Sequence, residues 1–252
     1  MVYFVGAGPG DAELITVKGQ KLIQNADVII YAGSLVNEEL LLQKKKNCAV
    51  YNSAFMTLEE VIDTIQKAEE NFSECCIVRL HTGDPSLYGA IREQMDELEK
   101  LKIKFEVVPG VSSFSAAAAA LNVEYTLPAV SQTLIITRAS GKTKVPESES
   151  IKSLAAHNCS LVLFLSASLC QKVQDELLLS GISPKTPASI VYKASWREQK
   201  IFSCTVETLS KTAQENGICK TALILVGDFL QHSDYEKSKL YDSDFSTEFR
   251  KA

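Results

Sequence analysis

Three short loops contain the residues of this chain whose types best suit ligand binding. They are residues 6–11 (Gly-Ala-Gly-Pro-Gly-Asp), 81–89 (His-Thr-Gly-Asp-Pro-Ser-Leu-Tyr-Gly) and 109–113 (Pro-Gly-Val-Ser-Ser). Each follows a short apolar run typical of a β-strand, and ligands of open α/β sheets bind beyond the carboxyl ends of strands. The loops offer backbone groups, hydroxyls and carboxylates, and none contains a lysine or arginine. This argues against a nucleoside triphosphate and favours a ligand that is neutral or carries a positive centre.

The first loop resembles a dinucleotide-binding turn but lacks the features that such a turn needs. The spacing Gly-x-Gly-x-x-Gly requires a third glycine where this chain has Asp11. Pro9 has no amide hydrogen to donate to a pyrophosphate, and the Asp11 carboxylate would repel one. Taken singly, each loop has an ordinary alternative, because Gly-Asp-Pro and Pro-Gly are common turn sequences. Three such loops at one sheet edge favour a binding site.

Composition excludes several other classes of function. The 252 residues carry a net charge of −5, which gives no support for binding nucleic acid or a membrane surface. No apolar run approaches the ~20 residues of a membrane span, and the N-terminus has no charged leader, so we expect a cytoplasmic protein. The seven cysteines are scattered and form no Cys-x-x-Cys pair. We therefore expect reduced, mostly buried thiols and no metal site.

The elements that would position the three loops follow an alternating pattern. Strands are predicted near residues 2–5, 27–32, 75–80 and 105–108. Thr16 is placed to cap a helix over 17–24, and Thr57 with Glu60 forms a capping box for a helix to about residue 70. Two further helices are predicted, one over 87–101 and one through Ser112–Ser115 and the five alanines that follow. This alternation predicts a mostly parallel sheet with helices on both faces.

The second half of the chain repeats the alternation. Strands are predicted near 133–137, 160–165, 188–192 and 222–226, and helices near 151–156, 169–178 and 206–215. The polar stretch 122–132 is the best linker candidate. We therefore predict two α/β domains, at 1–120 and 121–228, and a polar tail at 229–252.

The same three loops carry a family resemblance. Residues 5–11 (Val-Gly-Ala-Gly-Pro-Gly-Asp), 82–85 (Thr-Gly-Asp-Pro) and 108–113 (Val-Pro-Gly-Val-Ser-Ser) resemble three signatures of the tetrapyrrole (corrin/porphyrin) methyltransferases. The resemblance implies two α/β domains that bind S-adenosylmethionine in the cleft between them. Many relatives have glycine where this chain has Thr82, whose backbone groups remain available. The residues that the family implies as cofactor contacts are Pro9, Thr82, Gly83, Asp84, Leu87, Ser112, Ser113, Leu165, Ala194 and Ala222. Asp84 has an alternative role as a turn-stabilising side chain.

Longer stretches resemble one branch of that family, the precorrin-4 C11-methyltransferases. They are residues 31–36, 81–95, 132–138 and 191–196. This resemblance implies a homodimeric enzyme of cobalamin biosynthesis that transfers a methyl group from S-adenosylmethionine to C11 of precorrin-4 or its cobalt form. The cysteine content favours the cobalt form, on the argument of a reducing cell. The alternatives are a methyltransferase of the same fold acting on another tetrapyrrole position or on the diphthamide precursor, and a non-catalytic nucleotide-binding module.

The substrate implied by this resemblance carries many carboxylates, so cations are expected around it. The residues predicted to bind it are Arg138, Lys193, Arg197 and Tyr88, with Arg79 and Lys142 as further cation candidates. For Arg138 a plain surface position is the alternative, and Trp196 is either a core residue or a platform for the macrocycle. We predict no particular catalytic residue, because methyl transfer from a sulfonium needs orientation more than covalent assistance.

Overall fold

The computed structural model describes residues 1–71, 75–231, 235–239, 244–246 and 248–251. They form two compact units. The first contains Met1–Ala116 together with Lys193–Gln199, and the second contains Ala117–Tyr192 and Lys200–Ala252. The predicted domain limits at 120 and 228 did not include the return of residues 193–199 to the first unit. They also placed the start of a tail at Phe229, which is 1% exposed.

The first unit is built on a five-stranded parallel sheet. Its strands are β1 (Val2–Gly6), β2 (Val28–Tyr31), β3 (Ala49–Asn52), β4 (Ile77–His81) and β5 (Phe105–Val108), in the order β3-β2-β4-β1-β5. All four neighbouring pairs are parallel, as the alternation predicted. Side chains of alternate residues enter two separate apolar clusters, one on each face of the sheet. Phe4 and Ile30 belong to one cluster, and Val5 and Ile29 to the other, so both faces are buried.

Local signals set the helix starts of this unit with one exception. The helices are α1 (Val17–Asn25), α2 (Leu58–Asn71), α3 (Ile91–Lys100) and α4 (Ser113–Leu121), of which α4 begins in the first unit and ends in the second. The Thr16 hydroxyl accepts the Gly19 N–H at 3.1 Å, and Thr57 and Glu60 form both hydrogen bonds of the predicted capping box. Helix α3 was wrongly predicted to begin at residue 87. It begins at Ile91, because Ala90 adopts a left-handed conformation with φ 49°.

The second unit contains a mixed sheet. Its strands are β6 (Leu134–Arg138), β7 (Ser160–Phe164), β8 (Pro187–Tyr192), β9 (Lys200–Thr205) and β10 (Ala222–Val226), in the order β6-β7-β10-β8-β9. Strands β6 and β7 pair in parallel, and the other three pairs are antiparallel. Helices α5 (Ile151–Ala155), α6 (Cys170–Leu179) and α7 (Leu209–Glu215) pack on one apolar cluster with the sheet. The sequence patterns missed the edge strands β3 and β9.

The cysteines are all free thiols, of which three are buried, three half-buried and one, Cys219, exposed. Burial raises the pKa of Cys75 and of Cys204 to about 11, so these thiols stay protonated and poorly reactive at neutral pH. Among the residues that the structure describes, no helix has the length and apolar character needed to cross a membrane.

Candidate functional site

The three predicted loops follow three neighbouring strands of the first sheet. Strand β1 lies between β4 and β5, so the loops after Gly6, His81 and Val108 meet at one edge, as predicted. Gly8 and Gly83 exchange two backbone hydrogen bonds, with N···O distances of 3.3 and 2.8 Å. The chain leaves β1 toward β2 and leaves β4 toward β5, in opposite directions along the sheet. Such a change of direction is where open α/β sheets bind their ligands.

Three glycines bring the loop backbones into direct contact. A Cβ atom on Gly6 would lie 2.5 Å from the Cα of Gly110 and 2.6 Å from the carbonyl oxygen of Gly83. A Cβ atom on Gly110 would overlap that same carbonyl oxygen. Gly83 has φ 60°, and a Cβ atom on it would lie 3.7 Å from the Cα atom of Ser112 and from the N atom of Ser113, at the start of α4. At this edge of the sheet the loops therefore pack on one another through glycine backbone, a feature that we call the glycine floor.

Asp84 connects two of the loops through its carboxylate. One carboxylate oxygen accepts the Gly110 N–H at 2.9 Å, and the other accepts the Ser86 N–H at 2.8 Å and the Ser86 hydroxyl. Burial raises the pKa of Asp84, but the hydrogen bonds from Ser86 and Gly110 outweigh it and hold the pKa below its usual value. The turn-stabilising role left open by the sequence is therefore present. Contact between Asp84 and a cofactor stays a prediction.

The loop after β4 holds several residues in unfavourable backbone conformations. Tyr88 has φ 56° and Ala90 has φ 49°, and both are non-glycine residues in the left-handed region. Gly89 between them touches the Pro85 carbonyl so closely that no side chain fits. Leu87 is half-buried, whereas the Tyr88 side chain is 44% exposed. Such strain persists where the surrounding structure enforces it, and it concentrates at ligand sites.

Two ionisable side chains lie buried beneath this loop. The Arg79 guanidinium donates to the Gln94 side-chain oxygen at 3.0 Å and to the Ile30 carbonyl at 3.1 Å. Burial lowers its pKa to about 10, so it remains protonated at neutral pH. Burial, with a smaller effect of the Arg79 charge, lowers the pKa of His81 to about 3. Arg79 was predicted as a cation for the substrate and is instead a core residue that ties β4 to α3.

The Pro9–Gly10–Asp11 turn of the first loop is bound to residues distant in sequence. The Trp196 indole N–H donates to the Pro9 carbonyl at 2.9 Å, and the Asn37 amide donates to the Gly10 carbonyl at 2.9 Å. The Asp11 N–H donates to the Ser195 hydroxyl at 3.0 Å. The Asp11 carboxylate caps a short 3₁₀ helix at Ala12–Leu14. The turn thus has no resemblance in structure to a dinucleotide loop that opens directly into a helix.

The predicted residues Lys193, Ala194 and Arg197 all lie in the segment that rejoins the first unit. Lys193 Nζ lies 3.2 Å from a Glu198 carboxylate oxygen and 5.4 Å from the centre of the Trp196 ring. The Arg197 guanidinium forms an ion pair with Glu39 at 2.9 Å, and the Arg197 side chain is 87% exposed. Ala194 is 6% exposed. Both predicted cations therefore already contact carboxylates.

In the second unit, the strand register brings three predicted residues to one edge. Arg138 ends β6 opposite Phe164 of β7, and Ala222 begins β10 opposite Tyr192 of β8. Because β10 runs antiparallel to β7, the start of β10 lies beside Leu165, which directly follows β7. Leu165 has φ 50° and is 67% exposed. It is therefore a strained, apolar, accessible residue next to Ala222.

Arg138 and Ser166 stabilise the loops at this edge. The Arg138 guanidinium donates to the carbonyls of Thr143 at 2.9 Å and Lys144 at 3.0 Å. The fully buried Ser166 hydroxyl accepts the Ala139 N–H at 2.8 Å and donates to the Phe164 carbonyl at 2.7 Å. Sequence reasoning missed Ser166, Asn37 and Ser195, since isolated polar residues carry no spacing signal of their own. Arg138 as a substrate ligand stays a prediction.

These loops, and the two sheets that carry them, define a class of protein. Residues 1–210 match the family model of the Tetrapyrrole (Corrin/Porphyrin) Methylases. The chain belongs to this family, and the resemblance on the three loop motifs is confirmed. The prediction of two α/β sheets with helices is confirmed too.

Particular relatives cover the whole chain. A cobalt-precorrin-4 C(11)-methyltransferase of Methanocaldococcus jannaschii is 54% identical over 100% of this chain and 96% of the relative. Among solved structures, a cobalamin biosynthetic enzyme named cobalt precorrin-4 methyltransferase matches with a TM-score of 0.88 and 48% identity, covering 91% of this chain and 95% of the other. Uroporphyrin-III C-methyl transferase from Thermus thermophilus, complexed with S-adenyl homocysteine, matches with a TM-score of 0.76 and 26% identity, covering 91% and 98%.

Proposed function

We propose that this chain transfers a methyl group from S-adenosylmethionine to C11 of cobalt-precorrin-4, a step of cobalamin biosynthesis. The observation that carries the proposal is the 54% identity, over the whole chain, to the Methanocaldococcus jannaschii relative of that name. The solved structure at 48% identity bears the same substrate in its name. Both names include cobalt, which supports the cobalt form of the substrate over the metal-free form.

The hydrogen-bonding groups of the three loops in the first unit suit S-adenosylmethionine. The glycine floor packs the backbones at Gly6, Gly83 and Gly110 closely against their neighbours, which holds the three loops together at this edge. The three loops also carry the hydroxyls of Thr82, Ser112 and Ser113, and they contain no lysine or arginine. A sulfonium compound with an adenosine and an amino-acid group fits such a site better than a polyphosphate does. The complex of the Thermus thermophilus relative with S-adenyl homocysteine supports this choice.

The remaining cofactor contacts of the proposal lie along the same loops, in the segment 193–199 and at the second sheet. They are Pro9, Asp84, Leu87, Leu165, Ala194 and Ala222. Asp84 acts by keeping the loops after β4 and β5 together, since its carboxylate accepts the Gly110 N–H. Leu165 offers an exposed apolar side chain at the carboxyl end of β7. Apolar contacts of this kind would bind the uncharged part of the cofactor.

The protein's contribution to the reaction is positioning. S-adenosylmethionine, when bound, supplies a methyl group on a positively charged sulfur. The rigid loops hold their ligand in one orientation, because the glycine floor and the Asp84–Gly110 hydrogen bond leave the backbone little freedom. Holding two reacting atoms close and in line lowers an activation barrier by several kcal/mol without a covalent catalyst.

Cations and one aromatic residue would bind the substrate carboxylates and ring. We propose Arg138, Lys193, Arg197 and Tyr88 for this role. Arg138 uses three guanidinium contacts to backbone carbonyls and has further N–H groups to donate. Lys193 and Arg197 would exchange their present carboxylate partners for those of the substrate. The homodimer and the cytoplasmic location expected from the sequence remain part of this proposal.

The test uses the purified chain and two assays. Calorimetry should detect saturable binding of S-adenosylhomocysteine and no binding of NAD or ATP. Incubation with ¹³C-methyl-labelled S-adenosylmethionine and cobalt-precorrin-4 should give a product whose label is assigned to C11 by NMR, and the metal-free substrate should react more slowly. Binding of ATP without S-adenosylhomocysteine would favour the nucleotide-binding alternative. A label on another ring carbon, or on the diphthamide precursor, would favour a different methyltransferase.

A further inference from the structure

The Pro9–Gly10 turn is held by a residue that follows it by more than half the chain. The two atoms of the hydrogen bond are Trp196 Nε1 and the Pro9 carbonyl oxygen, 2.9 Å apart. Pro9 has no N–H, so its carbonyl is its only backbone hydrogen-bonding group, and the indole N–H binds it. The adjoining Gly10 carbonyl is bound by Asn37. The indole is therefore one of two side-chain donors that set the direction of consecutive carbonyls in this turn.

The indole ring also occupies the space where a side chain of residue 10 would be. A Cβ atom on Gly10 would overlap the ring atoms Cδ1 and Nε1 of Trp196 and would lie 2.7 Å from its Cγ. Gly10 has no positive φ, so the backbone itself does not demand glycine. Glycine is required at this position because the Trp196 ring lies against it.

Residues close to Trp196 in the sequence also fix the position of its ring. Lys193 Nζ lies 5.4 Å from the ring centre, within the range of a cation–π contact. The neighbouring residues Lys193 and Ser195 have φ 47° and 67°, in the left-handed region. Ser195 holds the Asp11 N–H through its hydroxyl. The indole is thus held by the Pro9 carbonyl, Gly10 and Lys193, in a segment that contains two strained residues.

We propose that Trp196 is a positioning residue for the cofactor, which keeps the Pro9–Gly10 turn in its binding conformation. This inference rests on the proposed function, in which Pro9 contacts S-adenosylmethionine. The indole N–H orients the Pro9 carbonyl, and the ring face keeps Gly10 from moving toward it. Phenylalanine would retain the ring contact and lose the hydrogen bond, so the two effects are separable. This positioning role differs from both roles considered from the sequence for Trp196, which were a core residue and a platform for the macrocycle.

The test is a double-mutant cycle on Gly10 and Trp196, read by calorimetry with S-adenosylhomocysteine. Gly10→Ala forces a methyl group into the ring, and we expect it to weaken binding at least about tenfold. Trp196→Ala should weaken binding by a similar factor, and Trp196→Phe by a smaller one. In the double variant the methyl group meets no ring, so Gly10→Ala should cost little further affinity. Additive losses, or wild-type affinity in Trp196→Phe and Trp196→Ala, would overturn the proposal.

A spectroscopic measurement separates positioning from general stability. Trp196 is the only tryptophan of the chain, so its emission reports this site alone. We expect the emission of the wild-type protein to change on titration with S-adenosylhomocysteine, with the midpoint found by calorimetry. If Trp196→Ala does not fold, Gly10→Ala, Trp196→Phe and the emission still decide the question. Wild-type protein that binds no S-adenosylhomocysteine would defeat the proposed function itself, whereas binding without coupling and without an emission change defeats only this inference.

Discussion

The Asp84 carboxylate accepts the backbone N–H of Gly110 at 2.9 Å, across the end of the strand that lies between their own strands. Asp84 follows β4, Gly110 follows β5, and β1 runs between them with Gly6 at its end. One side chain therefore joins the two outer loops over the middle one. The three loops are held as a single rigid group by this bond and by the backbone pair of Gly8 and Gly83.

Asp84→Asn tests this connection. An amide in place of the carboxylate presents one oxygen where Gly110 and Ser86 now use two, so one of the two N–H groups loses its acceptor. We expect the free energy of unfolding to fall by about 1–3 kcal/mol and the affinity for S-adenosylhomocysteine to fall with it, measured by urea unfolding and calorimetry. Because the folded pKa of Asp84 is lowered, the carboxylate stabilises the fold above its unfolded pKa and stops doing so below it. The gap between the two proteins should therefore be constant from pH 7 to about 5 and narrow below about 4.

Asp27→Asn is the matched control for that variant. The Asp27 carboxylate contacts Lys45 at 2.5 Å and the Cys76 N–H at 2.9 Å, at the opposite edge of the same sheet. The hydrogen bond with Lys45, and then that with Cys76, lowers the pKa of Asp27. We expect Asp27→Asn to lower stability and leave S-adenosylhomocysteine affinity unchanged. Equal losses of affinity in both variants would mean that Asp84 acts only through overall stability.

Leu165→Gly should raise stability and lower cofactor affinity together. Leu165 has φ 50°, which costs a non-glycine residue roughly 1–2 kcal/mol, and its 67% exposed side chain loses little packing when removed. Asn158→Gly, at φ 51° just before the same strand, is the control. It should relieve a smaller strain, since asparagine tolerates this conformation better, and leave affinity unchanged. Wild-type affinity in Leu165→Gly would remove Leu165 from the cofactor site.

Arg138 has two roles that different substitutions separate. Arg138→Lys keeps a charge but loses the bidentate contact to the Thr143 and Lys144 carbonyls. We expect it to increase hydrogen exchange in residues 139–145 with a modest change in the KM for the tetrapyrrole. Arg138→Ala should raise that KM about tenfold, as expected for one lost charge-assisted contact of about 1.4 kcal/mol. A KM that stays at the wild-type value in both variants would leave Arg138 as a loop-stabilising residue alone.

The buried His81 should make the free energy of unfolding decrease at acidic pH. Burial, and then the charge of Arg79, lowers the folded pKa from 6.5 to about 3, so the unfolded chain binds a proton in this range and the folded protein does not. Stability should fall as pH drops below 6.5, with a slope approaching about 1.4 kcal/mol per pH unit. His81→Gln removes this titration, so its unfolding free energy should depend less steeply on pH between 7.5 and 5. Parallel slopes would show that His81 is protonated in the folded protein.

The elements that sequence reasoning found are those with local signals. The capping box of Thr57 and Glu60 needs three residues of spacing, and buried central strands are continuous apolar runs. The missed strands β3 and β9 lie at the outer edges of their sheets. Residues 49–51 of β3 are exposed, and β9 begins with two exposed residues, so neither strand has an apolar signature. The sequence therefore indicates which strands are buried, and it does not indicate which strands form hydrogen-bonded pairs.

The residues of the candidate site likewise fall into those that sequence patterns indicated and those that they did not. The loops at 6–11, 82–89 and 109–113 were recognisable because parallel strands bring their ends to one edge. The contact of Asp11 with Ser195 spans 184 positions, and no spacing in the sequence indicates it. Arg79 was assigned to the substrate because a cation near a strand end resembles a ligand. Its partner Gln94 lies on α3, and only the packing of that helix shows that Arg79 points into the core.

The glycine floor limits how this enzyme can change during evolution. A surface made of peptide groups has no side chain to vary, and a substitution at Gly6 or Gly110 meets backbone that cannot rotate away. Two simultaneous changes do not help, because a methyl group added to either loop meets main-chain atoms of the neighbouring loop. Under the proposed function, new substrate preferences would therefore arise at side chains proposed to bind the substrate, such as Tyr88, Arg138 and Lys193, and the backbone of the floor would stay the same.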